Sequence, residues 1–216
     1  MKTKIELSIP TSWKDVTLKQ YLELQSDLES YRDDEEAQFA LSLHHLCGLD
    51  AGYIKSLSAE SYNLLKNKLD EFNSPDTIEL QRFITLNGVE YGFEPNLSKM
   101  SYGAYADISQ WDTISIDKNW AKIMDILYRP IEKKHGKRYS IQAYTGEIDE
   151  EKWMGVDMEF HWGALFFFVH LQMDLLKGIL KSLKGMELPP NIKSILVKSG
   201  EVIQQSLNSP MVSLKK

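Results

Sequence analysis

The chain has 216 residues and a mass of 24.9 kDa, with 43% hydrophobic, 26% charged and 11% aromatic residues. This composition supports a buried core and excludes a chain that is disordered throughout. The net charge of −6 argues against a general nucleic-acid binder, which needs a basic surface. The charge is unevenly spread: residues 1–79 carry net −7, residues 80–174 net −4 and residues 175–216 net +5. Such segregation fits internal pairing, head-to-tail association or merely solvated faces. The single cysteine, Cys47, cannot form an intrachain disulfide, and a reducing compartment is expected.

In chain order, Lys4–Ile9 reads as a short strand ended by Pro10, with no apolar run of signal-peptide type. Thr17 and Gln20 have capping-box spacing, so a helix is expected to start there, with Leu18, Tyr21, Leu22, Leu24 and Leu28 on its apolar face. The acidic run Asp33-Asp34-Glu35-Glu36 sits where a helix N-terminus favours negative charge. The helix it opens carries Phe39, Leu43 and Leu46 and stops at Gly48. Asp50 and Ser58 read as N-caps of helices over 51–57 and 59–72. Asn73-Ser74-Pro75-Asp76 breaks the chain.

Residues 78–86 and 89–93 flank Asn87-Gly88, a pair that favours a two-residue hairpin turn. Helices are then expected from Ser101 to about Trp111 and from Asp117 to Tyr128, the second stopped by Arg129-Pro130. Residues 133–137 read as a polar loop, 139–144 as extended or irregular, and 147–153 as a short helix. The longest helix is expected from Asp157 to about Leu183, and a last one over 191–207. The most apolar stretch of the longest helix, Phe160–Met173, is shorter than the about 20 residues a membrane span needs, so a core helix and no membrane segment are expected. The fold class is therefore mainly α (α+β): one multi-helix domain over 1–216, helical at 10–73, with an antiparallel β-hairpin at 78–94, and helical again at 98–207.

Among motifs that carry chemistry, the sequence has no phosphate-cradling Gly-rich loop, nucleophile elbow, His-Glu-x-x-His pair or paired Cys-x-x-Cys. Adjacent His44 and His45 point to different faces of a helix. His161 and His170 are nine residues apart, about 180° around one helix, so they cannot share a metal. No catalytic residue, metal ligand or cofactor is expected. Two segments remain as candidate binding surfaces. Arg129, Lys133, Lys134 and Arg138 form a basic segment beside Tyr139 and Tyr144, which reads as a solvated loop first, and otherwise as a surface for an acidic protein or, as an alternative, for nucleic acid. Trp162, Phe166 and Phe167 belong to an aromatic run that cannot face one direction on a helix. Either that helix is surrounded, or one face binds a partner.

The order of these segments carries a resemblance. "IPTSWKDVTLKQYLEL", "LHHLCGLDAGYIKSLSAESYNLLKNKLDEF", "ITLNGVEYGFEPNLSKMSYGAYADI", "IMDILYRPI", "YSIQAY" and "WGALFFFVHL" follow one another. This resembles small proteins encoded in the structural and tail-assembly gene clusters of double-stranded DNA bacteriophages, especially Bacteroidetes-infecting, crAss-like phages. Gly48, Leu49, Leu57, Tyr62 and Leu65 also resemble the helix-loop-helix pattern of phage tail-assembly chaperones. The resemblance implies a non-enzymatic virion or morphogenesis protein of the tail module. It would be a structural component, an internal cargo protein or a tail-assembly chaperone. Its implied partners are phage tail or neck proteins or further copies of itself, in the virion or in the host bacterial cytoplasm during assembly. The alternative is a nucleic-acid-binding phage accessory protein using the basic 129–138 segment.

Overall fold

A computed structural model of the chain describes residues 7–72, 78–183, 194 and 198–201. Their order is α1 (Leu18–Leu28), α2 (Glu35–Cys47), α3 (Ala51–Ile54), α4 (Ala59–Phe72), β1 (Phe83–Leu86), β2 (Val89–Phe93), α5 (Tyr102–Ile108), α6 (Trp120–Leu127), β3 (Tyr128–His135), β4 (Arg138–Ile141), α7 (Glu151–Met154) and α8 (Met158–Ser182). The fold is mainly helical with one small antiparallel sheet, as the sequence leads one to expect. Contacts divide the described residues into two units, one of residues 7–72 plus Gly155–Glu159, the other of Ile78–Met154 plus the described residues from Phe160 to 201.

In the first unit, local chemistry sets the helix ends. The Thr17 side chain accepts from Gln20 N (3.3 Å), and Gln20 Oε1 accepts from Thr17 N (2.9 Å), closing the capping box before α1. Asp34 caps α2 by accepting from Ala37 N (2.9 Å), with Glu35 and Glu36 in the first turn. Gly48 ends α2 at φ +68°, a conformation that favours glycine. Asp50 caps α3, which is shorter than expected because the chain turns after Ile54. Phe39, Leu43, Cys47, Leu49, Leu65 and Leu69 form the core, and Leu57 and Tyr62 pack against it. Burial there pushes the Cys47 thiol up to about 11, so it stays protonated and unreactive at neutral pH. Of the strand expected over Lys4–Ile9, Leu7–Ile9 form none, and residues 4–6 lie outside the described residues. The extended pairing in this unit instead joins Thr17 to Asp157, with Leu18 N donating to Val156 O (2.9 Å) and Met158 N to Val16 O (2.8 Å).

In the second unit, Asn87 (φ 51°) and Gly88 (φ 80°) make the expected tight turn between β1 and β2. The ladder begins at Phe83, with Arg82 O accepting from Phe93 N (2.9 Å) at its margin, so residues 78–81 lead in ahead of the strand. The sheet is larger than the expected hairpin. Its order is β1-β2-β3-β4, all antiparallel, because residues 128–141 form a second hairpin rather than a helix end and a loop. Pro130 is tolerated within β3: its carbonyl accepts from Gln142 N (2.9 Å) just beyond the β3–β4 ladder, where no donor is needed.

One sheet face, bearing Phe93 and Tyr128, packs on helices. Tyr128 meets Phe160 (ring centroids 5.0 Å) and Trp153 (5.5 Å), and Phe93 meets Phe167 (5.3 Å). Trp120, Ile123, Met124, Ile126 and Leu127 of α6 are fully buried. On the other face Tyr139 lies across Gly92, where a Cβ would come 2.8 Å from its ring, and its hydroxyl donates to Phe93 O (2.6 Å). The helix expected over 191–207 lies mostly outside the described residues.

His161 is fully buried and accepts at Nδ1 from Trp120 Nε1 (3.2 Å), so its own proton sits on Nε2. Burial drives its pKa from 6.5 down to about 3. The unfolded chain therefore takes up a proton below pH 6.5 that the folded chain refuses. Stability is whole above that pH, falls as the pH is lowered, and levels off near pH 3. Between neutral pH and about pH 5 this group alone is expected to cost about 2 kcal/mol. His161→Gln keeps an acceptor for Trp120 and removes the proton site. Urea unfolding at both pH values should show a flatter dependence in the variant; equal slopes would refute the assignment.

Candidate functional site

The candidate surface is built on the β3–β4 hairpin. Two residues, Gly136 and Lys137, close it, with Gly136 at φ +60°. Pairing runs from His135 opposite Arg138 to Ile131 opposite Ile141, with an irregularity between Ile131 and Lys133 that re-aims the charged strand.

The four basic residues singled out from the sequence divide into two kinds. Arg129 is 9% exposed and pairs with the equally buried Glu94, whose other oxygen accepts from Asn96 N (3.2 Å). A buried pair of this kind adds little net stability, yet neither member can be lost cheaply. Arg129 is thus committed to holding β2 and β3 together. Lys134 pairs with Glu90 across the same two strands and lies 4.0 Å above the Phe83 ring. Lys133 and Arg138 are exposed and make no ion pair among the described residues, and Lys137 joins them at the turn. The hairpin therefore offers a rigid cationic tip of Lys133, Lys137 and Arg138, with His135 beside them.

The aromatic candidates sit elsewhere. Trp162 is 2% exposed and stacks on Phe166 (6.1 Å, 26° between planes). A partner would meet only the half-buried Phe166 and Phe167. Phe167 packs on the Phe93 face of the sheet, whereas Arg129 follows Tyr128 in the strand and so points to the opposite face. The structure does not bring the two candidate sets together.

Other polar groups serve packing. Asp125 accepts from Asp149 N (2.8 Å) and Trp153 Nε1 (3.0 Å) and pairs with Lys152. Tyr144 donates to Asp107 (2.5 Å); burial and that carboxylate push its hydroxyl up to about 12. His44 Nδ1 bonds Leu49 O (3.1 Å) and His45 bonds Asp27 (2.8 Å), so the two imidazoles serve different partners. Among the described residues no group of three or more His, Cys, Asp or Glu is placed to hold a metal ion.

Two exposed features were not singled out in the sequence. Tyr102 and Tyr105 lie on one side of α5, 85% and 62% exposed. Leu175, Ile179 and Leu180 are exposed on the second half of α8. Residue type could not reveal them, since Tyr and Leu at helical spacing also fill the cores of both units. The chain matches no known protein-family model, no curated protein and no solved structure.

Proposed function

We propose that the chain is a non-enzymatic morphogenesis or virion protein of a double-stranded DNA bacteriophage tail module, working by protein–protein contact. The phage setting rests on the sequence resemblance. The mode of action rests on the cationic hairpin tip, where Lys133, Lys137 and Arg138 stand exposed with no ion pair among the described residues, on a strand pair fixed by the buried Arg129–Glu94 contact. Charges held this way, at little entropic cost, steer and orient an acidic partner more than they add raw affinity. The exposed acidic run Asp33–Glu36 of another copy has the matching sign, as would any tail or neck protein with an acidic face. The role is that of a structural component, an internal cargo protein or a tail-assembly chaperone.

A triple charge reversal, K133E/K137E/R138E, tests the mode of action. Cross-linking and recovery from infected cells should yield about tenfold less tail protein with the variant than with the wild type. The reading fails if recovery is unchanged. It also fails if the wild type instead binds duplex DNA with a steep salt dependence that the variant loses, since the hairpin would then be a phosphate-binding element.

A further inference from the structure

Backbone hydrogen bonding leaves one edge of the four-stranded sheet open. β1 pairs with β2 from Phe83 opposite Gly92 to Leu86 opposite Val89, and Phe93 N donates to Arg82 O (2.9 Å) just before it. In an antiparallel pair only alternate residues exchange bonds, so Arg82, Ile84 and Leu86 direct their backbone groups at β2. The N–H and C=O of Phe83 and Thr85 therefore point away from the sheet, and no hydrogen bond reaches them among the described residues. The open stretch has definite ends. Before it, the Tyr128 hydroxyl donates to the Gln81 carbonyl (2.7 Å); after it, the chain turns at Asn87-Gly88.

Sheet edges are ordinarily guarded by charge, proline or a bulge. The far edge has such guards: β4 starts at Arg138 beside the exposed Lys137, next to the irregularity in β3. β1 reads Phe-Ile-Thr-Leu and has none of them. It is held firmly in place, with Phe83 against the Tyr139 ring (4.8 Å), while Thr85 on the same face is exposed. Donors and acceptors that alternate at strand spacing are matched by another extended backbone, so the occupant is a strand. A second copy of β1 matches them fully. With a two-fold axis at Ile84, Phe83 of each chain faces Thr85 of the other, and every open N–H and carbonyl of both residues finds a partner. An axis at Phe83 would set Thr85 against Gln81, whose carbonyl is taken, and an axis at Thr85 would set Phe83 against the turn at Asn87. The side chains agree with the first register: Thr85 meets the Phe83 ring, Ile84 meets its own mate, and Arg82 falls opposite Leu86, so no charge faces its like.

We propose that two copies of the chain associate through β1, joining their sheets edge to edge into one continuous antiparallel sheet. The contact is short. A strand of four residues rises about 14 Å, and an edge of that length cannot alone cover the about 800 Å² that each partner buries in a stable complex. The dimer is therefore in exchange with monomer and dissociates on dilution. This inference does not depend on the phage reading, and it uses the sheet edge opposite the cationic hairpin.

Sedimentation of the full chain over a concentration series, with hydrogen exchange at the two ends of the series, tests it. The wild type should pass from monomer to dimer as concentration rises. The amides of Phe83 and Thr85 should be protected in the dimer and exchange fast in the monomer, while Ile84, bonded to β2, stays protected in both. Thr85→Pro removes an outward N–H that the chain's own ladder does not use, so circular dichroism should match the wild type while association weakens by about tenfold or more. Ile84→Cys tests the register without relying on that variant. Residues facing each other across the axis form a pair that exchanges no hydrogen bonds, with Cα atoms about 4.5 Å apart, close enough for a disulfide. Mild oxidation should link I84C into a covalent dimer and leave V89C unlinked, because both edges of β2 are occupied; the native Cys47 is buried. The proposal is overturned if the wild type stays monomeric at its highest soluble concentration, which would leave the edge to a strand of another protein. It is also overturned if the Phe83 and Thr85 amides are protected in the monomer, if a folded T85P dimerises like the wild type, or if I84C and V89C cross-link alike.

Discussion

Gly163→Ala is expected to destabilise the second unit by about 3 kcal/mol, even though alanine is the better helix former. Gly163 lies in the first half of α8, where Glu79 and Leu80 run directly against the helix. An added Cβ would sit 2.5 Å from Glu79 O and 3.1 Å from its carbonyl carbon, closer than any side-chain rotation can relieve, because the obstacle is backbone. Either the lead-in to β1 or the helix must move, and that disturbs the aromatic contacts among Phe160, Tyr128 and Trp153. Gly178, on the same helix, supplies the control. Nothing lies within 4 Å of its Cβ position, so Gly178→Ala should stabilise by about 0.5–1 kcal/mol. Urea unfolding followed by tryptophan fluorescence should show midpoints moving in opposite directions. A shared direction would mean that α8 does not pack on residues 79–80 as described.

Asp125→Ala is expected to cost about 3–5 kcal/mol, among the largest single effects in the molecule. The carboxylate is the common acceptor for the Asp149 amide, the indole N–H of the fully buried Trp153 and the ammonium of Lys152. Removing it strands the indole N–H of the fully buried Trp153 and leaves Lys152, beside the Tyr91 ring (5.2 Å), with only the longer contact to Asp149 (3.9 Å). Asp125→Asn keeps one oxygen for the indole, so it should cost roughly half as much. Hydrogen exchange of α6, α7 and the start of α8 should rise far more in the alanine variant than in the asparagine one. Similar, small changes in both would show that the carboxylate is dispensable.

Local signals in the sequence located much of the fold. Side-chain caps mark the starts of α1, α2, α3 and α5 through Thr17, Asp34, Asp50 and Ser101, because each presents an oxygen to amides that would otherwise lack partners. Asn87-Gly88 located its turn, since few other residues accept two left-handed conformations in a row. The second hairpin was hidden for a physical reason. Its strand is written in charges, Glu132-Lys133-Lys134-His135, which solvate both faces and erase the alternation that marks a half-buried strand. Pro130 also reads as a stop, and its tolerance depends on where the β3–β4 ladder ends, which is a tertiary fact. The Gly136-Lys137 turn was the one local cue to it.

The candidate site was legible only in part. A run of basic residues reveals that charge is present, not which charges are committed. Glu94 lies 35 residues from Arg129 and Glu90 lies 44 from Lys134, so nothing local foretells either pair. Trp162 illustrates the converse. An aromatic run on a helix looks the same whether it is enclosed, as Trp162 is, or partly open, as Phe166 and Phe167 are.

Quantitative mass spectrometry of purified virions beside lysate of infected cells tests the proposed function most directly. The account predicts that the chain is present in phage-derived material together with tail or neck proteins. Many copies per virion would mark a structural or cargo component, and abundance in lysate with absence from virions would mark an assembly chaperone. Absence from every phage-derived sample would contradict the proposed function.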